Sequence, residues 1–171
     1  MIEHGILAAA AFVLLGAAYS DLKQFRIPNL MPGLILALYA CYVAIVGATA
    51  FSGWHVAHFA IALIVGMVLF AMKWFGGGDA KLYAAVALWF PLQQGHKLLF
   101  MVGMAGLVLA ILFILTRRFT KNADGKKRID RRIPYGVAIA FGAIACWLLQ
   151  APAQPAKLNI KDLDNSGLPS L

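Results

Sequence analysis

Charge is scarce in this 171-residue chain. Lys, Arg, Asp and Glu make up 13% of it, against 62% hydrophobic residues. Ordinary soluble domains are about a quarter charged, so this composition excludes one and points to a bilayer as solvent. Cysteine is nearly absent too. Cys41 and Cys146 stand alone inside apolar segments, which excludes paired CxxC zinc sites and a disulfide scaffold and leaves both expected as packing residues. The opening "MIEHG" has no Lys or Arg before the first apolar run, so no cleavable signal peptide is expected and the first helix is read as retained.

What fills the chain is a series of apolar segments, at 5 to 20, 30 to 51, 54 to 72, 80 to 92, 98 to 116 and 133 to 150. A helix needs about 20 residues to cross a core of about 30 Å, so the expectation is an all-α, polytopic membrane protein with six transmembrane helices. The separators carry turn chemistry: "DLKQFRIPN", "FSGWH", "GGGD", "PLQQGHK" and "RRFTKNADGKKRIDRR". Residues 1–150 read as one membrane domain. Residues 151–171 hold three of the seven prolines and read as a polar, disordered tail.

Lys and Arg set the expected orientation, because positive loops stay cytoplasmic. Lys23, Arg26, Lys73, Lys81 and eight residues between Arg117 and Arg132 put twelve of the fifteen basic residues in loops one, three and five. Both termini then face outward. The net charge of +8 is explained by topology, and no nucleic-acid partner is expected.

With only seven acidic residues, each one is informative. Glu3, Asp162 and Asp164 fall on the outer side, and Asp124 and Asp130 sit among basic residues in the long loop. Two remain: Asp21 ends the first helix in "AAYSDLK", and Asp79 opens the fourth in "GGGDAKL". Topology puts both at the cytoplasmic face. An isolated aspartate there reads as a headgroup contact or a helix cap. Gly76, Gly77 and Gly78 argue for more, since they admit close backbone approach and unusual dihedrals around Asp79. Irregular backbone at membrane depth needs surrounding protein or a watery cavity.

Two carboxyl groups a few ångströms apart cannot both ionise cheaply, so they share a proton and divide the roles of base and acid. Such a pair activates water against a peptide carbonyl without a metal or a covalent intermediate. No cofactor is expected.

Gly76-Gly77-Gly78-Asp79 matches the GxGD motif of membrane aspartyl proteases. With "SDLKQFRIPN" before it and "RIPYGVAIA" after the long loop, the chain resembles the type IV prepilin peptidases across all six helices. The resemblance implies that Asp21 and Asp79 are the catalytic pair of an aspartic endopeptidase of the inner membrane. Its substrate would be a prepilin or pseudopilin, which loses a basic leader at the cytoplasmic face and passes to the pilus-assembly machinery. Many members also methylate the new N-terminus and carry a cytoplasmic domain with paired CxxC motifs. That domain is not found in this sequence, so no methyl transfer is expected, and the chain is similar to the short peptidases of Flp-type tight-adherence pili. Preflagellin peptidases share the aspartate arrangement and stay open as an alternative. Presenilin-like enzymes add a Pro-Ala-Leu motif that this chain lacks. A small proton channel or carrier, or a non-catalytic assembly subunit, is the reading from another class.

Lys23 and Lys81 lie two positions beyond the aspartates. They are read either as stabilising carboxylate charge or as snorkelling to phosphates. Pro28 and Asn29 shape the turn into helix two, with Asn29 as a partner for a loop carbonyl. Pro134 and Gly136 break the entry to helix six beside a substrate groove. His55 and His58 share a helical face but lack a third ligand, so interfacial packing is expected and no metal site. "DLDNSG" lacks the closing Glu of a calcium loop. Trp54, Trp74, Trp89 and Trp147 are read as interfacial anchors.

Overall fold

The computed structural model describes residues 2–47, 51–119 and 134–149, with side chains omitted for 116–119. The polar tail and most of the long basic loop lie outside the described residues. Those residues form six helices: α1 Ile2–Gln24, α2 Leu30–Val46, α3 Gly53–Ala71, α4 Gly77–Ala87, α5 Gly95–Phe119 and α6 Tyr135–Leu149. In lipid every backbone N–H and C=O must be satisfied within the chain, and a helix does this locally.

By length and composition, three stretches are able to cross a bilayer: Ile2–Gln24, Gly53–Ala71 and Leu92–Leu115. Leu30–Val46 and Tyr135–Leu149 are shorter apolar helices. The segment expected over 80 to 92 is cut short, because α4 has 11 residues and rises only about 16 Å. Tight turns bonded Trp89 N–H to Val86 O and Phe90 N–H to Ala87 O finish it, and Pro91 follows. The second helix also stops early, at Val46, where Gly47 takes a φ of 93° that favours glycine.

Short α4 is an interior helix. Ala80, Leu82 and Ala84 to Ala87 are all fully buried, with α2, α3 and α6 packed around them. Helix α6 is the second interior element: it packs on α1, α4 and α5 and buries residues from Gly136 to Cys146. The flanking helices turn single stripes inward, Ala10, Leu14, Ala17, Ala18 and Asp21 on α1 and His58, Ala62 and Gly66 on α3. Their opposite faces expose Phe12 and Ile64.

Between helices in lipid, association depends on close packing and not on water exclusion, so small residues mark the contacts. A Cβ on Gly142 would come within 2.5 Å of Val102 Cα, and one on Gly66 within 2.9 Å of the Ala80 Cβ. Those two positions hold α5 on α6 and α3 on α4 at near-backbone distance.

Chain direction alternates, so the C-terminal ends of α1 and α3 and the N-terminal ends of α2, α4 and α6 gather together. The opposite part of the bundle is aromatic. Trp89 lies edge-on to Tyr39 and Trp147, Phe90 stacks on Trp147, and Trp89 Nε1–H donates to Ile35 O at 3.3 Å. Trp89 is therefore a buried core residue and not an interfacial anchor, whereas Trp54 and Trp74 are exposed as expected. Cys146 is buried but Cys41 is exposed, so only Cys146 packs in the interior.

Candidate active site

Asp21 occupies the last turn of α1, three residues before its end, on the buried stripe. Its backbone carbonyl accepts the Phe25 N–H at 2.8 Å, and Phe25 has a φ of 50°. Lys73 closes α3 in the same left-handed region, with a φ of 61°. There Lys73 N–H reaches Phe70 O and Trp74 N–H reaches Leu69 O, the bond pair of a Schellman end. Each non-glycine left-handed residue costs about 1 kcal/mol or more. One follows Asp21 and the other precedes the glycine run, so backbone strain concentrates in the two segments that carry the acids.

Asp79 is the third residue of α4, and its carboxyl accepts the backbone N–H of Gly76, the residue capping that helix. This is half of a capping box. The glycines are needed for close approach: none of the three has a positive φ, so the unusual dihedrals expected of them are not used. A Cβ on Gly76 would meet Asp79 Oδ2 at 2.5 Å, and one on Gly78 would meet Ile27 Cβ at 3.1 Å and Ile27 O at 3.2 Å. Gly77 faces the Phe70 ring.

Helix α6 completes the arrangement. Pro134 precedes it and accepts the Val137 N–H, and the Gly136 N–H, free in the first helical turn, donates to Asp21 Oδ2 at 2.7 Å. A Cβ on Gly136 would lie 2.9 Å from that oxygen and 2.7 Å from Ile27 Cδ1. The carboxyl of Asp21, 5% exposed, thus sits on a helix N-terminus, where the peptide dipoles favour negative charge. Ile27 lies against both the start of α4 and the start of α6. It thus lies between the segments that carry the two acids, since Gly78 directly precedes Asp79 and the Gly136 amide holds Asp21. Among the described residues, no cluster of three or more His, Cys, Asp and Glu side chains suited to a metal includes them.

The two lysines point elsewhere. Lys81 Nζ donates to Asn29 Oδ1 at 3.1 Å, tying α4 to the start of α2, and Lys23 lies 5.3 Å over the Tyr19 ring. Asn29 therefore bonds a lysine and not a loop carbonyl. His58 is buried, with Nδ1 2.9 Å from Phe90 O, so it is an internal tie and not an interfacial residue. His55 Nδ1 accepts the Ser52 N–H at 3.2 Å and caps α3. Ile27 went unnoticed in the sequence. Its signal was the following proline, which holds the preceding residue extended, in an Ile-Pro pair repeated as Ile133-Pro134 ahead of Gly136.

The family model described as the type IV leader peptidase family matches residues 8–115, a stretch that contains both Asp21 and Asp79. The chain belongs to the type IV leader peptidase family and is, by that membership, a peptidase. No curated protein and no solved structure matches it.

Proposed function

We propose that the chain is an aspartic endopeptidase that removes the basic leader of a type IV prepilin or pseudopilin, with Asp21 and Asp79 as its catalytic pair. The observation that carries this reading is that Ile27 lies against both Gly78, the residue before Asp79, and Gly136, whose amide holds Asp21, within a chain of the leader peptidase family. One carboxylate takes a proton from water as the water oxygen attacks the peptide carbonyl carbon. The other carboxyl donates a hydrogen bond to the carbonyl oxygen. Collapse of the tetrahedral intermediate breaks the C–N bond, and the leaving nitrogen takes the proton from the dyad. The products are a leader carboxylate and a new amine.

The charge distribution of the loops supports a cytoplasmic-facing site in an inner membrane, with six helices traversing it and both termini outside. Short α4 then crosses only within protein, shielded by its neighbours. The motif resemblance supports a Flp-type precursor as substrate, and a preflagellin-type precursor is the alternative. Family membership favours hydrolysis over a proton channel or carrier.

Co-expression with candidate precursors, scored by leader removal, tests the proposal. Asp21→Asn and Asp79→Asn should insert normally and lose cleavage. A non-catalytic assembly subunit tolerates Asp79→Asn, so wild-type processing by either variant overturns the dyad. Because one carboxyl must be charged and the other protonated, the cleavage rate should fall at both low and high pH.

A further inference from the structure

Outside the acid pair lies an apolar groove of about 590 Å³. Helix α3 packs on α4, and α5 packs on α6, so the interior helices form the floor and α3 and α5 the walls. The walls run from His58 to Leu69 on α3 and from Gly95 to Gly106 on α5. Eleven residue steps give each wall a length of about 16 Å.

One end of the groove lies beside the segments that carry the acids. Ala80, next to Asp79, lies in the floor, and Phe75 and Tyr135 close that end with ring centroids 5.6 Å apart. These two residues directly precede Gly76 and Gly136, whose amides hold the carboxyl groups of Asp79 and Asp21. The Phe75–Tyr135 pair is thus the boundary between the groove and the segments that hold the acids.

We infer that the groove holds the apolar helix of the precursor, so that the segment leading out of that helix enters the space between Asp21 and Asp79. This rests on the peptidase reading and adds to it where the uncleaved part of the substrate is held. The size fits one helix lying half-sunk. Spread over about 16 Å, 590 Å³ gives a mean section of about 37 Å². A helix about 10–12 Å across has a section of roughly 80–110 Å², so about a third to a half of its girth is received and the rest faces lipid. The wall is prepared for a backbone: a Cβ added at Gly103 meets nothing within 4 Å, unlike Gly66 and Gly142, whose missing side chains are already used by neighbouring helices. Gly103 is a small residue in a helix face that no helix among the described residues occupies, the kind of position at which helices approach closely in lipid.

The test fills that space. Gly103→Trp should place its ring in the groove, leave the protein inserted and its thermal unfolding in detergent unchanged, and reduce cleavage of a helix-bearing precursor at least tenfold. Ile64→Trp, on the lipid-exposed face of α3, should cleave within twofold of wild type. In an Asp79→Asn background, p-benzoylphenylalanine placed at position 103 should cross-link to the precursor helix, and at position 64 it should not. The groove assignment is overturned if a folded Gly103→Trp protein cleaves at the wild-type rate, or if position 103 captures lipid alone. A wild type that cleaves no precursor removes the peptidase reading and this inference with it. A wild type that cleaves as fast as both Trp variants removes only the groove.

Discussion

At one end of the bundle Tyr39, Trp89, Phe90 and Trp147 lie ring against ring, with His58 bonded to a backbone carbonyl beneath them. At the other, Gly76, Gly78 and Gly136 stand where side chains would collide with Asp79, Ile27 and Asp21. The aromatic end is filled with large, rigid groups, and its polar atoms are turned into internal ties. The acid end is held open by missing side chains, and two of its turns have left-handed non-glycine residues. Between helices in lipid, tight packing is the main source of stability, so the filled end should hold the fold together. The open end gives up packing around the turns that carry the two acids.

That contrast makes a separable forecast: changes at the acid end should alter rate more than stability, and changes at the aromatic end the reverse. The largest effect is expected for Asp79→Asn and Asp21→Asn, each lowering leader cleavage by about 10²–10⁴-fold with an unfolding midpoint near wild type. Because the pair acts as a unit, the double variant should be little worse than either single one. Trp89→Ala should cost about 3 kcal/mol in reversible denaturation in micelles, while the rate per folded molecule stays within a few fold. If its rate collapses as far as that of the aspartate variants, the two ends are not separate.

Gly136→Ala comes next. Its Cβ would press on Ile27 Cδ1 and on the Asp21 carboxyl, so a rate loss of roughly tenfold is expected alongside about 1–2 kcal/mol of destabilisation. Unchanged kinetics would show that the α6 amide does not position Asp21. The smallest effect concerns the exposed Lys81–Asn29 tie. Lys81→Ala and Asn29→Ala should each slow cleavage a few fold with folding intact, and the double variant should match the singles, since contacting residues are not additive. Additive losses would give Lys81 a role independent of Asn29.

Sequence patterning carried some of this architecture. Hydropathy found six helices because each is apolar nearly throughout, and alternating chain direction put Asp21 and Asp79 at the same end. It misjudged α4, expected to 92 but ending at Ala87, since a continuous apolar run says nothing about where a turn to Pro91 begins. It also read Trp89 and His58 as surface residues. In a bilayer the outward face is as apolar as the inward one, so no periodicity distinguishes Trp89, at 8% exposed, from Trp54, at 55%. Lys23 and Lys81 show the same limit: their spacing from the aspartates left charge stabilisation and snorkelling both open, and the structure places them at the Tyr19 ring and at Asn29.

The amino-acid sequence by itself determined the solvent, the helices and the end of the bundle where the acids lie. These follow from the cost of an unpaired backbone in lipid and from which residues are charged, both local properties of the chain. Only the tertiary structure decided that the Gly136 amide holds Asp21, that Ile27 lies between the starts of α4 and α6, and that α3 and α5 stand apart over a groove. Those outcomes depend on the shapes of surfaces from distant segments fitting together, which no single stretch of the chain encodes alone.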